Sequence, residues 1–447
     1  MDAAAPLRQF AESGVPREIE FRLQMLKRLQ SALVVREAEI LSALTTDLGK
    51  SSFEGFFSEV GLVYKELSYH IAHLKRWARP KRVRPSLLSF PSRSYTISRP
   101  LGTVLIISPW NYPFQLTLIP LISAMAAGNT IMLKPSTKSS ATTALLTDLI
   151  TSLFDPSYIA ISVDRSVVSG SWDHIFFTGS PAVGKMIMRQ ASEHLTPVTL
   201  ELGGKSPVIV EAASDLRLAA RRIVWAKALN SGQTCVAPDY VLVETSALEP
   251  LIAAMSEEIE RMYGSDMLSN ADYPAIIDQS SFERLVSQLR EGTVRYGGSF
   301  DPERRKIALA LLTDVPLTAT VMQEEIFGPI LPIIAYETLD EAFAFVASRP
   351  TPLAAYLFSK KRAHQRRFVR ELAFGGGCIN DLIVHLSNLH LPFGGQGPSG
   401  MGSYHGKQGF LTFSHTKSIT HSATALDIPV RYAPFPDKLS LLKKLFR

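Results

Sequence analysis

Cysteine is scarce: Cys235 and Cys378 are the two thiols in 447 residues. Two cysteines build no disulfide framework and suit a reducing compartment. No run approaches the roughly 18 unbroken apolar residues that a membrane span requires. Met1 to Gly14 lacks the basic-then-apolar pattern of a secretion signal. Also missing is any basic block interleaved with aromatics, and a net charge of +6 is small for this length. Nucleic acid is therefore not indicated as a partner, whereas anionic small molecules remain welcome. Neither an internal repeat nor a low-complexity tract occurs. The expectation is a soluble cytoplasmic protein of two or three domains, its 46% hydrophobic and 20% charged residues suited to sizeable cores.

What is present begins with helix. Residues 16–48 read as helix with Leu26, Leu29 and Leu33 on one face, Ile40 and Leu44 continuing the stripe, and a stop at Gly49. A second helical region, Ser58 to Trp77, carries His70 and His73 one turn apart; with no third ligand type nearby they read as a surface pair. Residues 80–100, rich in Pro, Arg and Ser, read as an excursion with a short strand at Ser94 to Ser98. From Pro100 the pattern alternates. Strands at Val104–Ile107, Thr130–Leu133, Tyr158–Val163, His174–Phe177 and Val198–Leu200 are interleaved with helices at Leu116–Ala127, Ser139–Leu153 and Val183–His194. Continuous apolar strands between helices imply a doubly wound parallel sheet, which takes ligands beyond its strands' carboxyl ends.

Two turns lie at those ends: Lys134-Pro135-Ser136, and Thr178-Gly179-Ser180-Pro181-Ala182-Val183-Gly184. In the second, the glycines either let a phosphate approach the amides of a helix start or simply shape a tight turn. After Glu201–Pro207 the alternation resumes with Val208–Val210, a helix near Leu216–Leu229 and a strand at Tyr240–Val243. This second α/β unit runs to about Gln396. Cys235 stands between the last two elements, after Asn230-Ser231-Gly232-Gln233-Thr234. A thiolate there is a strong nucleophile even at a few per cent of the thiol; the other reading is a small buried hydrophobe. Lys438 to Arg447 reads as a short terminal helix packed on its own protein, although its basic residues also suit a membrane surface.

Seven blocks then occur in order between about residues 15 and 420: Ser108–Phe114, Lys134-Pro135-Ser136, Phe177–Ser180, Glu201–Pro207, Gly232–Cys235, Glu325–Pro329 and Leu391–Gly395. Together they resemble the NAD(P)-dependent aldehyde dehydrogenases. The ending Met401–Lys407 with Phe413-Ser414-His415 resembles the short class 3 branch, which includes fatty and aromatic aldehyde dehydrogenases. The resemblance implies a cofactor-binding domain (1–83 and 99–203), a catalytic domain (204–396), bridging strands at 84–98 and 410–422 that pair subunits in a homodimer, and a tail (423–447). It makes Cys235 the nucleophile, Asn111 with the Cys235 amide the oxyanion donors, and Glu201 the general base, with Glu325 in reserve. The same resemblance assigns Trp110, Lys134 and Thr137, the turn from Gly179 through Ser180, Pro181, Ala182 and Val183 to Gly184, Glu325 and Phe327 to NAD or NADP, and no residue to a metal. Cys378 matches no catalytic position and reads as a buried core thiol.

Two departures bear on the cofactor. Thr137 stands where the class usually has glutamate, and the connection from Thr137 to Gly179 is a few residues short, with Asp164–Val168 replacing a glycine-rich turn. Losing a carboxylate there removes a charge that repels the 2′-phosphate of NADP, so NADP is expected to be accepted at least as well as NAD. A coenzyme A-acylating dehydrogenase generally lacks a base at Glu201, and a non-catalytic relative would have lost Cys235, Glu201 or Asn111. All three residues are present, which favours oxidation of a medium- or long-chain aliphatic or aromatic aldehyde to the acid.

Overall fold

The apolar runs become two largely parallel sheets. A computed structural model describes residues 3–86, 89–427, 429–436 and 438–446. In the first sheet the strands lie in the order Gly400–Met401, Val198–Glu201, His174–Thr178, Thr103–Ile107, Thr130–Lys134, Ile159–Ile161, with only Gly400–Met401 antiparallel. Every residue of Thr103–Ile107 and His174–Thr178 is buried, because helices cover both faces. The chain builds outward from Thr103–Ile107 to Ile159–Ile161, then returns to the other side with His174–Thr178. A crevice therefore opens between the carboxyl ends of those two central strands.

The second sheet runs Thr293–Tyr296, Ala310–Thr313, Ile330–Tyr336, Tyr240–Glu244, Pro207–Val210, Ala354–Phe358, Gly376–Ile379, antiparallel only at its first pair. A third, small sheet joins Lys81–Val83, Ser92–Pro100 and Ser414–Ser422. Its central strand is longer than the Ser94–Ser98 expected. Its far strand starts at Ser414 rather than near 410, because Gly406–Thr412 is helical.

The helical regions depart from the sequence reading in three places. The 16–48 stretch breaks at Arg36 into Ile19–Val35 and Glu37–Leu48, where the guanidinium turns to Glu39 and, at 2.6 Å, Asp148. Gly49 does end the second piece, at φ 67°, and Asp47 just before it caps another helix, accepting from the amides of Ala141 and Thr142. Residues Phe56–Val60 wind as a π-helix ahead of Gly61–Trp77. The His70–His73 pair is not at the surface. His70 is fully buried, its Nδ1 donating to the Glu66 carbonyl at 3.0 Å, and His73 stacks on Trp77. Glu66 beside it holds the Gly406 amide at 2.7 Å, and burial pushes its carboxyl up to about 7. The tail does form a helix, Leu439–Phe446, in which Leu439 is exposed; the Lys438 ammonium donates to the carbonyls of Pro429 and Tyr432, within the tail.

Candidate active site

Cys235 is presented by a strained turn. Where helix Leu216–Ala228 ends, Asn230, Ser231 and Gly232 follow with φ of 51°, 50° and 72°. Two successive left-handed residues other than glycine persist only where the surroundings over-determine them. Here the Asn230 amide donates to Glu54 at 2.8 Å, and its side chain donates to the carbonyls of Asn111 and Gln233. Ser231 bonds to Pro274, and Gln233 reaches Asn230, Ala275 and Ile277. At Gly232 a Cβ would stand 2.4 Å from the Gly328 carbonyl oxygen, so only glycine fits. Tyr112 then hydrogen-bonds Thr234 at 2.6 Å, and Tyr356 donates to the Val236 carbonyl. The cysteine is thus clamped from both α/β units.

Its thiol lies between two cavities. One, of about 460 Å3, is walled by Phe53, Phe56, Phe57, Tyr112, Trp225, Ile383, Phe393 and Tyr404. The other, of about 240 Å3, sits at the strand-order switch and is lined by Trp110, Asn111, Thr178, Gly179, Ser180, Glu201, Cys235, Glu325 and Phe327. Cys235 and Leu116 belong to both. Of the residues expected at the site, the structure brings these eight together: Trp110, Asn111, Gly179, Ser180, Glu201, Cys235, Glu325 and Phe327.

The charges explain the resting state. Burial, then Glu325 and Glu201, push the Cys235 thiol far above its usual range, so it rests protonated and needs a base. Glu201 ends its strand almost wholly buried, and neither carboxyl oxygen has a hydrogen-bond partner among the described residues. Burial raises its pKa well above the ordinary carboxylate value. A carboxylate so displaced is a far stronger base than an exposed one. The Asn111 side chain donates to the Gln233 carbonyl at 3.0 Å, which occupies one of its two N–H groups. Glu325 is pushed up to about 8 by burial and Asp239, with the Gly204 amide, Lys205 and Lys227 opposing.

The second cavity suits a dinucleotide. Helix Pro181–Ser192 starts at its rim, capped by the Ser180 side chain. Gly179 and Gly184 do not adopt positive φ, so turn geometry is not their reason. They allow close approach: a Cβ would come 2.6 Å from the Phe177 ring and 2.7 Å from Leu202. The helix thereby sits tight on the sheet, its first amides at the crevice, where an anion is stabilised. Phe327 meets the Trp110 ring edge-on at 5.4 Å. Pro181, Ala182, Val183 and Gly184 form the first turn of that helix and are not part of the cavity wall. Lys134 ends its strand, half-buried, and Thr137 lies apart on a groove of about 670 Å3 that Val163 also lines.

Several functional candidates escaped the sequence reading. Arg165 lies close enough to Lys134 to lower its pKa, after burial, while Asp164 opposes. Backbone pairing brings the two segments together, with Leu133 opposite Ile161 and the Ser162 amide on the Leu133 carbonyl. The phenylalanine wall was visible only as the spacing Phe53, Phe56, Phe57. Cys378 packs against the main hydrophobic core but is only half-buried, because it lies on an edge strand, its sulfur 3.4 Å from His385 Nδ1.

The doubly wound fold thus gathers a thiol, a buried carboxyl and an amide donor at one crevice, an arrangement suited to an oxidoreductase. The Aldehyde dehydrogenase family model matches residues 9–419, and the chain belongs to that family. It is an NAD(P)-dependent aldehyde dehydrogenase. It is 44% identical over 445 residues to 4,4′-diaponeurosporen-aldehyde dehydrogenase of Staphylococcus aureus, covering 98% of this chain and 97% of that one. To the dimeric NADP-preferring aldehyde dehydrogenase of Rattus norvegicus it is 41% identical over 445 residues, 98% of each. The solved substrate-bound state of Staphylococcus aureus AldH superposes with a TM-score of 0.98 at 43% identity, covering 100% of this chain and 99% of that one.

Proposed function

We propose that the enzyme oxidises medium- or long-chain aliphatic or aromatic aldehydes through a covalent adduct on Cys235. The observation that carries this reading is the thiol between an aromatic-walled cavity and the cavity holding Glu201 and Asn111. The aldehyde's hydrocarbon chain fills the first cavity, whose apolar lining favours it by about 25 cal/mol for each Å2 buried. Glu201 takes the thiol proton as sulfur attacks the carbonyl carbon. The oxyanion that forms accepts from the second N–H of Asn111 and from the Cys235 amide. Bound NAD(P)+ supplies the hydride acceptor that leaves a thioester on Cys235. Glu201, once it has passed the thiol's proton to solvent, draws a proton from water, which attacks the thioester; the acid leaves and that proton returns to the Cys235 sulfur. Glu325 holds the nicotinamide ribose, Phe327 and Trp110 border the nicotinamide, and Lys134 with Thr137 meets the adenosine ribose. A panel of aldehydes of increasing chain length tests the assignment: efficiency rises with length and aromaticity, and added coenzyme A leaves turnover unchanged. A preference for two- or three-carbon aldehydes, or stimulation by coenzyme A, overturns it.

The same reading includes NADP at least as good as NAD. Thr137 is exposed and uncharged, while Lys134, three residues earlier, lies close to Arg165, and Asp164 turns its carboxylate onto Ser166. Thr137 sets no carboxylate of its own against a 2′-phosphate, Lys134 and Arg165 offer two cations against Asp164, and the rat relative is itself named as NADP-preferring. Thr137→Glu is expected to lower the ratio of catalytic efficiencies, NADP over NAD, at least tenfold, since like charges about 4 Å apart near a surface differ by up to ~4 kcal/mol. A parent enzyme strict for NAD, or an unchanged ratio, refutes the idea.

We further propose a homodimer in the cytoplasm. The exposed strand Ser414–Ser422 leaves an open sheet edge suited to a second copy, and both thiols are unpaired. No helix among the described residues is long and apolar enough to cross a membrane.

A further inference from the structure

Beneath the oxyanion site lies an ion pair that no solvent reaches. Lys50 and Glu59 both have fully buried side chains, with Nζ to Oε1 at 2.6 Å. Two charges are retained in such a place only when every lone pair and proton is used. Glu59 Oε2 accepts from the amides of Phe114 and Gln115, at 2.9 and 3.1 Å, at the start of helix Gln115–Ala127. That position also places the carboxylate at the positive end of the helix. Lys50 lies 4.0 Å from the centre of the Tyr112 ring and donates to the Asn111 carbonyl at 3.2 Å. The same carbonyl accepts from Asn230 Nδ2 at 2.7 Å. Residues 111–115 are therefore gripped at consecutive points, the carbonyl of Asn111 at one end and the helix start at the other.

We infer that Lys50 and Glu59 are positioning residues for the oxyanion donor: they fix the Asn111 backbone so that its side-chain amide keeps one N–H on Gln233 and aims the other at the thiol. The inference rests on the assignment of Asn111 to the oxyanion. The chain supplies the pair from an economical place. Lys50 directly follows the left-handed Gly49, and Glu59 lies in the π-helical turn Phe56–Val60. Phe53, Phe56 and Phe57, on the intervening and same turns, wall the aldehyde cavity. One short segment thus shapes the aldehyde's berth and sets the donor that stabilises its oxyanion. Turns of π-helix recur at functional sites.

The test is a double-mutant cycle with Asn111→Ala. Lys50→Met with Glu59→Gln removes both charges together, so no lone buried ion is left behind. Measured with the full-length enzyme, this pair of changes is expected to lower the acylation rate about a hundredfold, as a small misplacement of a reacting group does. NADP and NAD affinity, read by tryptophan fluorescence, should stay within about twofold, and hydrolysis of a preformed acyl-enzyme should fall less than acylation. In the Asn111→Ala background the same changes should have no further effect on acylation. If the double variant does not fold, Lys50→Arg alone, which keeps the buried charge pair but moves the donor at the Asn111 carbonyl, runs the same cycle. Multiplicative losses, or cofactor affinity falling in step with acylation, overturn the inference. An innocuous Asn111→Ala would instead overturn the oxyanion assignment beneath it.

Discussion

Cys235→Ser is expected to abolish aldehyde oxidation while cofactor affinity stays close to that of the parent. The hydroxyl is smaller than the thiol and fits the same turn, so the clamps from Glu54, Asn111 and Tyr356 on the surrounding backbone survive. What is lost is the nucleophile. A thiol, even one raised by burial and by two carboxyls, still ionises at the moment of attack when its proton has an acceptor, whereas an alcohol in the same place has no comparable anion. Turnover with any aldehyde should fall by several orders of magnitude, and no burst of reduced cofactor should appear on rapid mixing. On the proposed assignment, cofactor binding rests on the helix start at Pro181 and the glycines that seat it, not on the thiol. Cys378→Ser is the control. That sulfur meets His385 on the edge strand of the second sheet and is absent from both cavity walls, so most activity should remain. Survival of activity at Cys235→Ser with its loss at Cys378→Ser would reverse the assignment.

What made Cys235 legible is instructive beside what was not. Strands such as Val104–Ile107 and Val208–Val210 are apolar without interruption because both their faces are covered, and that pattern needs no knowledge of the rest of the fold. The glycines at 179 and 184 were visible as a turn, but their purpose was not. Only coordinates show that Leu202 and the Phe177 ring stand where a Cβ would go. Charged residues misled in the opposite sense. Lys50, Glu54, Glu59 and Glu66 carry charge, which usually marks a surface. Each is buried, because its partner comes from far along the chain: Asn111, Asn230, Phe114 and Gly406 respectively. His70 was misplaced too: it is fully buried although its partners, Glu66 and Trp77, lie on its own helix. The break at Arg36 depends on Asp148, 112 residues away. The short strand near 94–98 gained its full length from nine pairings with Ser414–Ser422, more than 300 residues later. Local pattern carries the scaffold and the catalytic motifs. The buried polar lattice that orients those motifs is tertiary from the start.

Glu201→Gln is expected to separate the two halves of the reaction. Its carboxyl has no hydrogen-bond partner among the described residues and is buried at the end of a strand, in the same cavity as the thiol. Gln preserves shape and volume, so the strand pairings from Glu201 to Gly400 and Thr178 should hold. The amide cannot accept a proton from water, however, and the thioester should accumulate. Rapid mixing should show a burst of reduced cofactor near one equivalent per active site, slower than in the parent. A steady state reduced by roughly a hundredfold or more should follow, the range that general-base catalysis contributes. The pH dependence gives a second reading. Burial raises the Glu201 pKa, so the fraction present as base grows as pH climbs through the raised value, and parent deacylation should accelerate over that rise. In Glu201→Gln this acceleration should vanish. Glu325, raised to about 8 by burial and Asp239, is the other carboxyl facing the thiol. If Glu201→Gln turns over at the parent rate and keeps its rise with pH, the base is Glu325, and Glu325→Gln should then be the variant that stalls with acyl-enzyme in place.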